Sequence, residues 1–227
     1  MGEKVVTAIL NNIVWCGIVC ETHGITATSS NHIWRTTSKA PTFYPDLITS
    51  NRCVTIDEVM DIIGGNKDIS SIKDSFANLD MSPFAFEMLF TAEWIYHAPV
   101  AKLEPVQPGW CHVTTEKDLA DWTSVHGSEN VIRPELLERP DVKIYLNKKK
   151  GEVAGFIASL GANAVGISNV FSSVNNDNVW SDIHKIVAFD FPGLPMVGYE
   201  RGDGLTATLQ LGWTTVGSLN VWVRSSD

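Results

Sequence analysis

Residues 151–224 constrain the fold of this chain more than any other part, because the hydrophobic period switches four times in a fixed order. GEVAGFIASL and AVGISNVFSS read as two strands joined by a short turn, and DNVWSDIHKIVAFDF spaces its apolar residues as a helix does. GLPMVGYE is β-type again. A second short helical run, LTATLQ, is stopped by the pair Gly212 and Trp213, and a last β-type run, TTVGSLNVWV, follows. The class is α/β.

Upstream, residues 4–22 put Val5, Ile9, Ile13, Cys16 and Cys20 on one helical stripe, which Gly24 closes. Short β-type runs follow at 25–29, 32–37 and 46–50, punctuated by Ser29, Ser30 and Asn31 and by Pro41 and Pro45. A helix over 56–63 ends at Gly64 and Gly65, with Thr55 and Glu58 spaced as a capping box. Segment 70–97 can be set beside 194–224 with Asp80 opposite Asp203. Each then reads as a strand, an aspartate, a short helix, an aromatic residue (Phe90 or Trp213) and a β-type run with a tryptophan (Trp94 or Trp222). The upstream order agrees as well, so a degenerate internal repeat is expected, with halves 1–105 and 106–227 joined near Pro99, Pro105 and Pro108. After that joint, WCHVTT is a short strand. Thr115, Asp118 and Gly127 then frame a helix, 128–142 is a loop with one helical turn, and a hairpin turns at 148–151. The three lysines of that turn read either as a solvated turn or as a phosphate contact.

A net charge of -9 gives no basic footprint for a phosphate backbone, so nucleic acid is not an expected partner. The N-terminal residues offer no apolar stretch long enough for a signal peptide or membrane span, so no membrane partner and a cytoplasmic location are expected. The four cysteines read as reduced thiols. Cys16, Cys20 and His23 share a helical face, which permits a metal site or a buried pair beside Trp15 with a helix-ending His23; no metal is assigned. No Walker, zinc-spaced cysteine or G-x-S-x-G pattern occurs.

The succession over residues 108–224 resembles the core of the GNAT (Gcn5-related) N-acetyltransferases, and residues 1–105 resemble it as the fainter repeat. The resemblance implies a mixed, mostly antiparallel sheet flanked by helices, two such halves in tandem, and acetyl-CoA as co-substrate. In the family the fourth strand lies beside the pantetheine arm. Here that strand is 164–173, which assigns Asn169, Val170, Phe171 and Ser172 to the cofactor by position. The pyrophosphate loop, R/Q-x-x-G-x-G/A in the family, falls on VNNDNVWSD and assigns Asn175, Asn176, Asp177, Asn178 and Val179. Asn175, Asn178 and Trp180 take the three patterned positions, and none matches.

The family's acid tyrosine falls on Thr208. For the base that takes the amine proton, Glu200 follows the strand GLPMVGY and is the first candidate, with Asp203 the second. A surface ion pair for Glu200 and a helix N-cap for Asp203 are the structural alternatives. Trp34 and Tyr44 are expected to line the pocket for a small-molecule amine, and a homodimer is left open. The implied activity is acetyl transfer to an amine; the alternative is a non-catalytic GNAT-fold ligand-binding or regulatory protein.

Overall fold

In the computed structural model, which describes residues 2–65, 68–100, 108–149, 152–173 and 179–225, the N-terminal stripe forms helix α1 (Glu3–Thr22). Val5, Ile9, Cys16 and Cys20 are buried on it, and Gly24, at φ 71°, turns the chain away. At 20 residues α1 is long and apolar enough to cross a membrane, contrary to the sequence expectation, yet half of its apolar window is buried inside the protein, as in a core helix. Strands β1 (Ala27–Ser30), β2 (Ile33–Thr36) and β3 (Leu47–Thr49), helix α2 (Ile56–Gly65), and strands β4 (Ser71–Asp74) and β5 (Phe86–His97) follow. The capping box closes α2 as expected: Thr55 N donates to Glu58 Oε2 at 2.8 Å and Glu58 N to Thr55 Oγ1 at 3.3 Å. Helix α2 takes in Gly64 and has Gly65 as its last residue, so it ends at the expected glycine pair.

The second part of the chain gives β6 (Trp110–His112), α3 (Glu116–His126), β7 (Val142–Lys149), β8 (Glu152–Gly161), β9 (Ala164–Ser172), α4 (Val179–Asp190), β10 (Met196–Glu200), α5 (Gly202–Gln210) and β11 (Thr214–Arg224). The expected joint lies largely outside the described residues. Among the described residues all the strands form one sheet in the order β1-β2-β3-β4-β11-β5-β10-β9-β8-β7-β6. Pairing is antiparallel throughout except at β3·β4 and β9·β10. The long strands β5 and β11 lie side by side in the centre. Each also borders the short strand of the other segment, β5 on β10 and β11 on β4.

Period-2 alternation divides the core between the two faces. Ile144, Leu146 and Ile157 meet α1 and α3, with Trp15, Val19, Leu119 and Trp122. Tyr145, Phe156 and Ala158 point the other way and meet Trp180, Ile183 and Val187 of α4. Helix α1 crosses the centre of the sheet, where Val5, Ala8 and Ile9 pack on Trp94, Val197 and Leu219. A buried side-chain amide fixes its position: Asn11 Nδ2 reaches the carbonyls of Gly161 (2.9 Å), Ala164 (3.0 Å) and Ser159 (3.3 Å) at the β8–β9 turn.

Candidate active site

Strands β9 and β10 pair for two positions, Val165 with Met196 and Gly166 with Val197, and then part. Two local features cause the parting. A Cβ on Gly198 would stand 2.9 Å from the Ile167 carbonyl oxygen, so the bare glycine lets the strands close at the apex of the gap. Past the apex, Asn169 takes φ 53°, and the register with β8 slips between Ile157–Ser168 and Gly155–Phe171. This is a β-bulge, which bends β9 away from its neighbour. Among the described residues no strand pairs with β9 beyond Gly166 on that side, so its peptide edge is open to a ligand.

The gap leads into a cavity of about 400 Å³. Trp15 and Asn12 of α1 line it, with Tyr44, Lys73, Asn169 and Glu200. A second cavity of about 490 Å³ shares Tyr44, Lys73, Phe90 and Tyr199 with the first. Alternation along β10 sends Tyr199 to the α1 face, against Trp94 at 5.5 Å between ring centroids, and Glu200 to the α5 face. The parted strands allow one cavity to be lined by both.

The Glu200 carboxyl lies on the first turn of α5; a Cβ on Gly204 would stand 2.5 Å from its Oε2. Burial pushes its pKa up to about 7, outweighing the backbone N–H and the charge of Arg201, both of which favour the ionised form. A carboxylate half ionised near neutral pH is suited to accept a proton from an ammonium group and pass it to water. Tyr44 is buried, and its hydroxyl accepts a long hydrogen bond, 3.5 Å, from Asn169 Nδ2 at the bulge. Burial raises its pKa, so it stays protonated and can donate. His126, from the last turn of α3, also lines the cavity between Trp122 and Phe171; burial lowers its pKa and keeps the ring neutral.

No family model matches the chain, and no curated protein matches it. Solved structures do match. A candidate acetyltransferase of the GNAT family from Novosphingobium aromaticivorans aligns at a TM-score of 0.58 with 14% identity, covering 96% of this chain and 99% of its own. A conserved protein of unknown function from Staphylococcus epidermidis gives 0.59 at 10% identity, over 79% of this chain and 84% of its own. A candidate acetyltransferase from Pyrococcus horikoshii gives 0.50 at 11% identity, over 99% and 86%. The chain has the GNAT fold.

Within that GNAT fold, the residues expected at the site separate. Glu200, Tyr44, Asn169 and Val170 line the same cavity. Phe171 instead turns into the wall, packed edge-on against Trp122 at 5.1 Å, and Ser172 pairs with Ala154 at the end of β9. Asn175, Asn176, Asp177 and Asn178 lie outside the described residues. Val179 is buried at the start of α4, and Trp180 packs on Trp213 in the core, 5.5 Å between centroids. Trp34 needs correction: it is buried in the core with Trp15 and Ile48, on a strand covered on both faces, and does not line the cavity. Asp203 is exposed in the first turn of α5, away from the cavity, and the cap position belongs to Arg201. Thr208, where the family has its tyrosine, is fully buried and donates to the Leu205 carbonyl at 2.8 Å.

Neither Cys16 nor Cys20 belongs to a metal cluster; among the described residues no group of three or more His, Cys, Asp or Glu side chains is placed to hold an ion. His23 bonds the Val131 carbonyl at 2.9 Å. Sequence reasoning missed Lys73, Asn12 and His126. Lys73 sits in the short run SSIKDSF, where a charge reads as solvent-facing, and no local spacing signals that β4 lies inside an eleven-stranded sheet.

Proposed function

We propose that this protein is a GNAT-fold N-acyltransferase that moves an acetyl group from acetyl-CoA to an amine of a small molecule, with the chemistry at the parted ends of β9 and β10. The observation that carries it is a carboxyl with its pKa raised to about 7, Glu200, at the mouth of a gap whose other edge is an unpaired, bulged strand. Acetyl-CoA fits this place: the open peptide edge after Gly166 can pair with a pantetheine arm, and the cavity has room for the acyl group and its acceptor. It would supply an acyl carbon activated as a thioester. Glu200 takes the proton of the acceptor ammonium, leaving the nitrogen lone pair free to attack that carbon. Tyr44 is the hydroxyl available to give a proton to the departing sulfur, in place of the tyrosine that Thr208 replaces.

The ligand is assigned to the second of two GNAT-like halves, 106–227, with 1–105 building the wall that carries Tyr44 and Lys73. The parallel pairs β3·β4 and β9·β10 support that division, as does the exchange of β5 and β11 between segments. Beyond β3·β4, Ser75 N donates to Thr49 Oγ1 at 3.0 Å and bridges the strands. The buried Thr208 favours a second reading, a GNAT-fold protein that binds without turnover. A thiol-release assay with acetyl-CoA over a panel of amines decides between them. Turnover that collapses in Glu200→Gln supports the transferase. Stabilisation by acetyl-CoA with no thiol released from any amine supports the binding protein.

A further inference from the structure

Lys73 is only 3% exposed, yet among the described residues its ammonium has neutral partners alone. It donates to Asn12 Oδ1 at 2.8 Å and stands 4.5 Å above the Tyr199 ring. Among the described residues no carboxylate lies within salt-bridge distance of it. Asp46, the carboxylate that lines the second cavity with Lys73, is fully committed. Its Oδ1 accepts from Ala40 N at 2.7 Å, and its Oδ2 from Ser70 N (2.8 Å), Ser71 N (2.9 Å), Ser71 Oγ (2.9 Å) and Ser70 Oγ (3.1 Å). Those bonds tie the segment before β3 onto β4 and hold one wall of the second cavity. A buried ammonium without a counter-ion is costly, and the cost falls when an anion arrives from outside.

Lys73 lines both cavities where they meet, beside Phe90, Tyr44 and Tyr199. Lys39 adds a second cation to the rim of the larger one. Glu200 and Lys73 thus offer opposite charges along one continuous space, reached from opposite faces of β10. We propose that the acyl acceptor is an amino acid-like molecule whose carboxylate sits on Lys73 while its amine, several atoms away, faces Glu200. This rests on the acyltransferase reading and deepens it. The open edge of β9 lies across the gap from Lys73, which puts the anion on the acceptor side and not on the acyl side. A terminal carboxylate gives the ammonium a charge-assisted hydrogen bond, and the aromatic walls suit an intervening methylene chain.

The test compares 5-aminopentanoate with pentylamine, using acetyl-CoA and the full chain. The carboxylate should raise kcat/KM by about tenfold or more, the scale of a hydrogen bond to a charged group. Lys73→Met should erase that preference. Asn12→Asp should erase it too, by giving the ammonium an internal partner of the same shape, and it keeps the test valid if Lys73→Met fails to fold. Equal turnover of the two amines, unchanged in both variants, overturns the inference and leaves the transferase standing. A Lys73-dependent preference for succinyl-CoA over acetyl-CoA with pentylamine would place the carboxylate on the acyl group and overturn the acceptor assignment. If nothing is turned over, the transferase reading fails. Thermal stabilisation by 5-aminopentanoate but not pentylamine, absent in Asn12→Asp, then still supports the anion seat, and equal shifts overturn it.

Discussion

Replacing Glu200 with Gln should stabilise the protein above neutral pH while destroying its activity. Its carboxyl titrates near 4.5 when exposed in the unfolded chain and near 7 in the fold, with burial the leading cause. The folded state therefore binds the proton more tightly. Below pH 4.5 the group is neutral in both states and costs nothing. Between 4.5 and about 7 stability falls as pH rises, and above 7 the full penalty is present. At about 1.4 kcal/mol for each pH unit, the ceiling is roughly 3 kcal/mol, and relaxation of a partly exposed group brings the expected gain in Glu200→Gln to about 1–2 kcal/mol. The glutamine carbonyl can still accept the Arg201 N–H, so that donor keeps its partner. For a chain of this size the gain corresponds to roughly 3–6 °C in Tm. Differential scanning fluorimetry at pH 5 and pH 8 measures it: the variant should gain on the wild type at pH 8 far more than at pH 5. A difference that does not change with pH, or a variant less stable at pH 8, refutes the burial argument.

Gly198→Ala should cost about 1–3 kcal/mol in urea melts and weaken acetyl-CoA binding by calorimetry, since its Cβ has backbone, not a movable side chain, at 2.9 Å. Asn11→Ala should cost about 2–4 kcal/mol, because three carbonyls at the β8–β9 turn lose their donor and α1 loses its anchor. Tyr44→Phe should lower kcat about tenfold to a hundredfold with KM nearly unchanged. Its stability should shift by about 1 kcal/mol, since the hydroxyl loses a long bond of 3.5 Å to Asn169 and its contact with the Trp15 side chain.

The second segment was readable because its periodicities are long and clean. Residues 152–161 and 164–172 pair as neighbours in sequence, and Thr115, Asp118 and Gly127 cap α3 at Oγ1···N 3.1 Å and φ 77° as their types require. The capping box of Thr55 and Glu58 was equally local. What sequence could not supply is long-range pairing. Nothing in TTVGSLNVWV says that it lies between β4 and β5, and nothing in SSIKDSF says that Lys73 reaches Asn12 of α1 and the Tyr199 ring of β10. The bulge at Asn169 was equally hidden, since one asparagine in an apolar run has many uses. For Trp34, size and aromaticity suit a ligand wall and a core alike, and only the packing of distant elements around β2 separates them.

Hydrogen exchange with and without acetyl-CoA is the most direct measurement. If the open edge of β9 holds the pantetheine arm, peptides covering residues 167–172 slow their exchange when acetyl-CoA is added, while those covering 47–49 in β3 do not. Slowing confined to β3, or no change in β9 at saturating acetyl-CoA, would contradict the assignment of the gap between β9 and β10 as the acyl-carrier site.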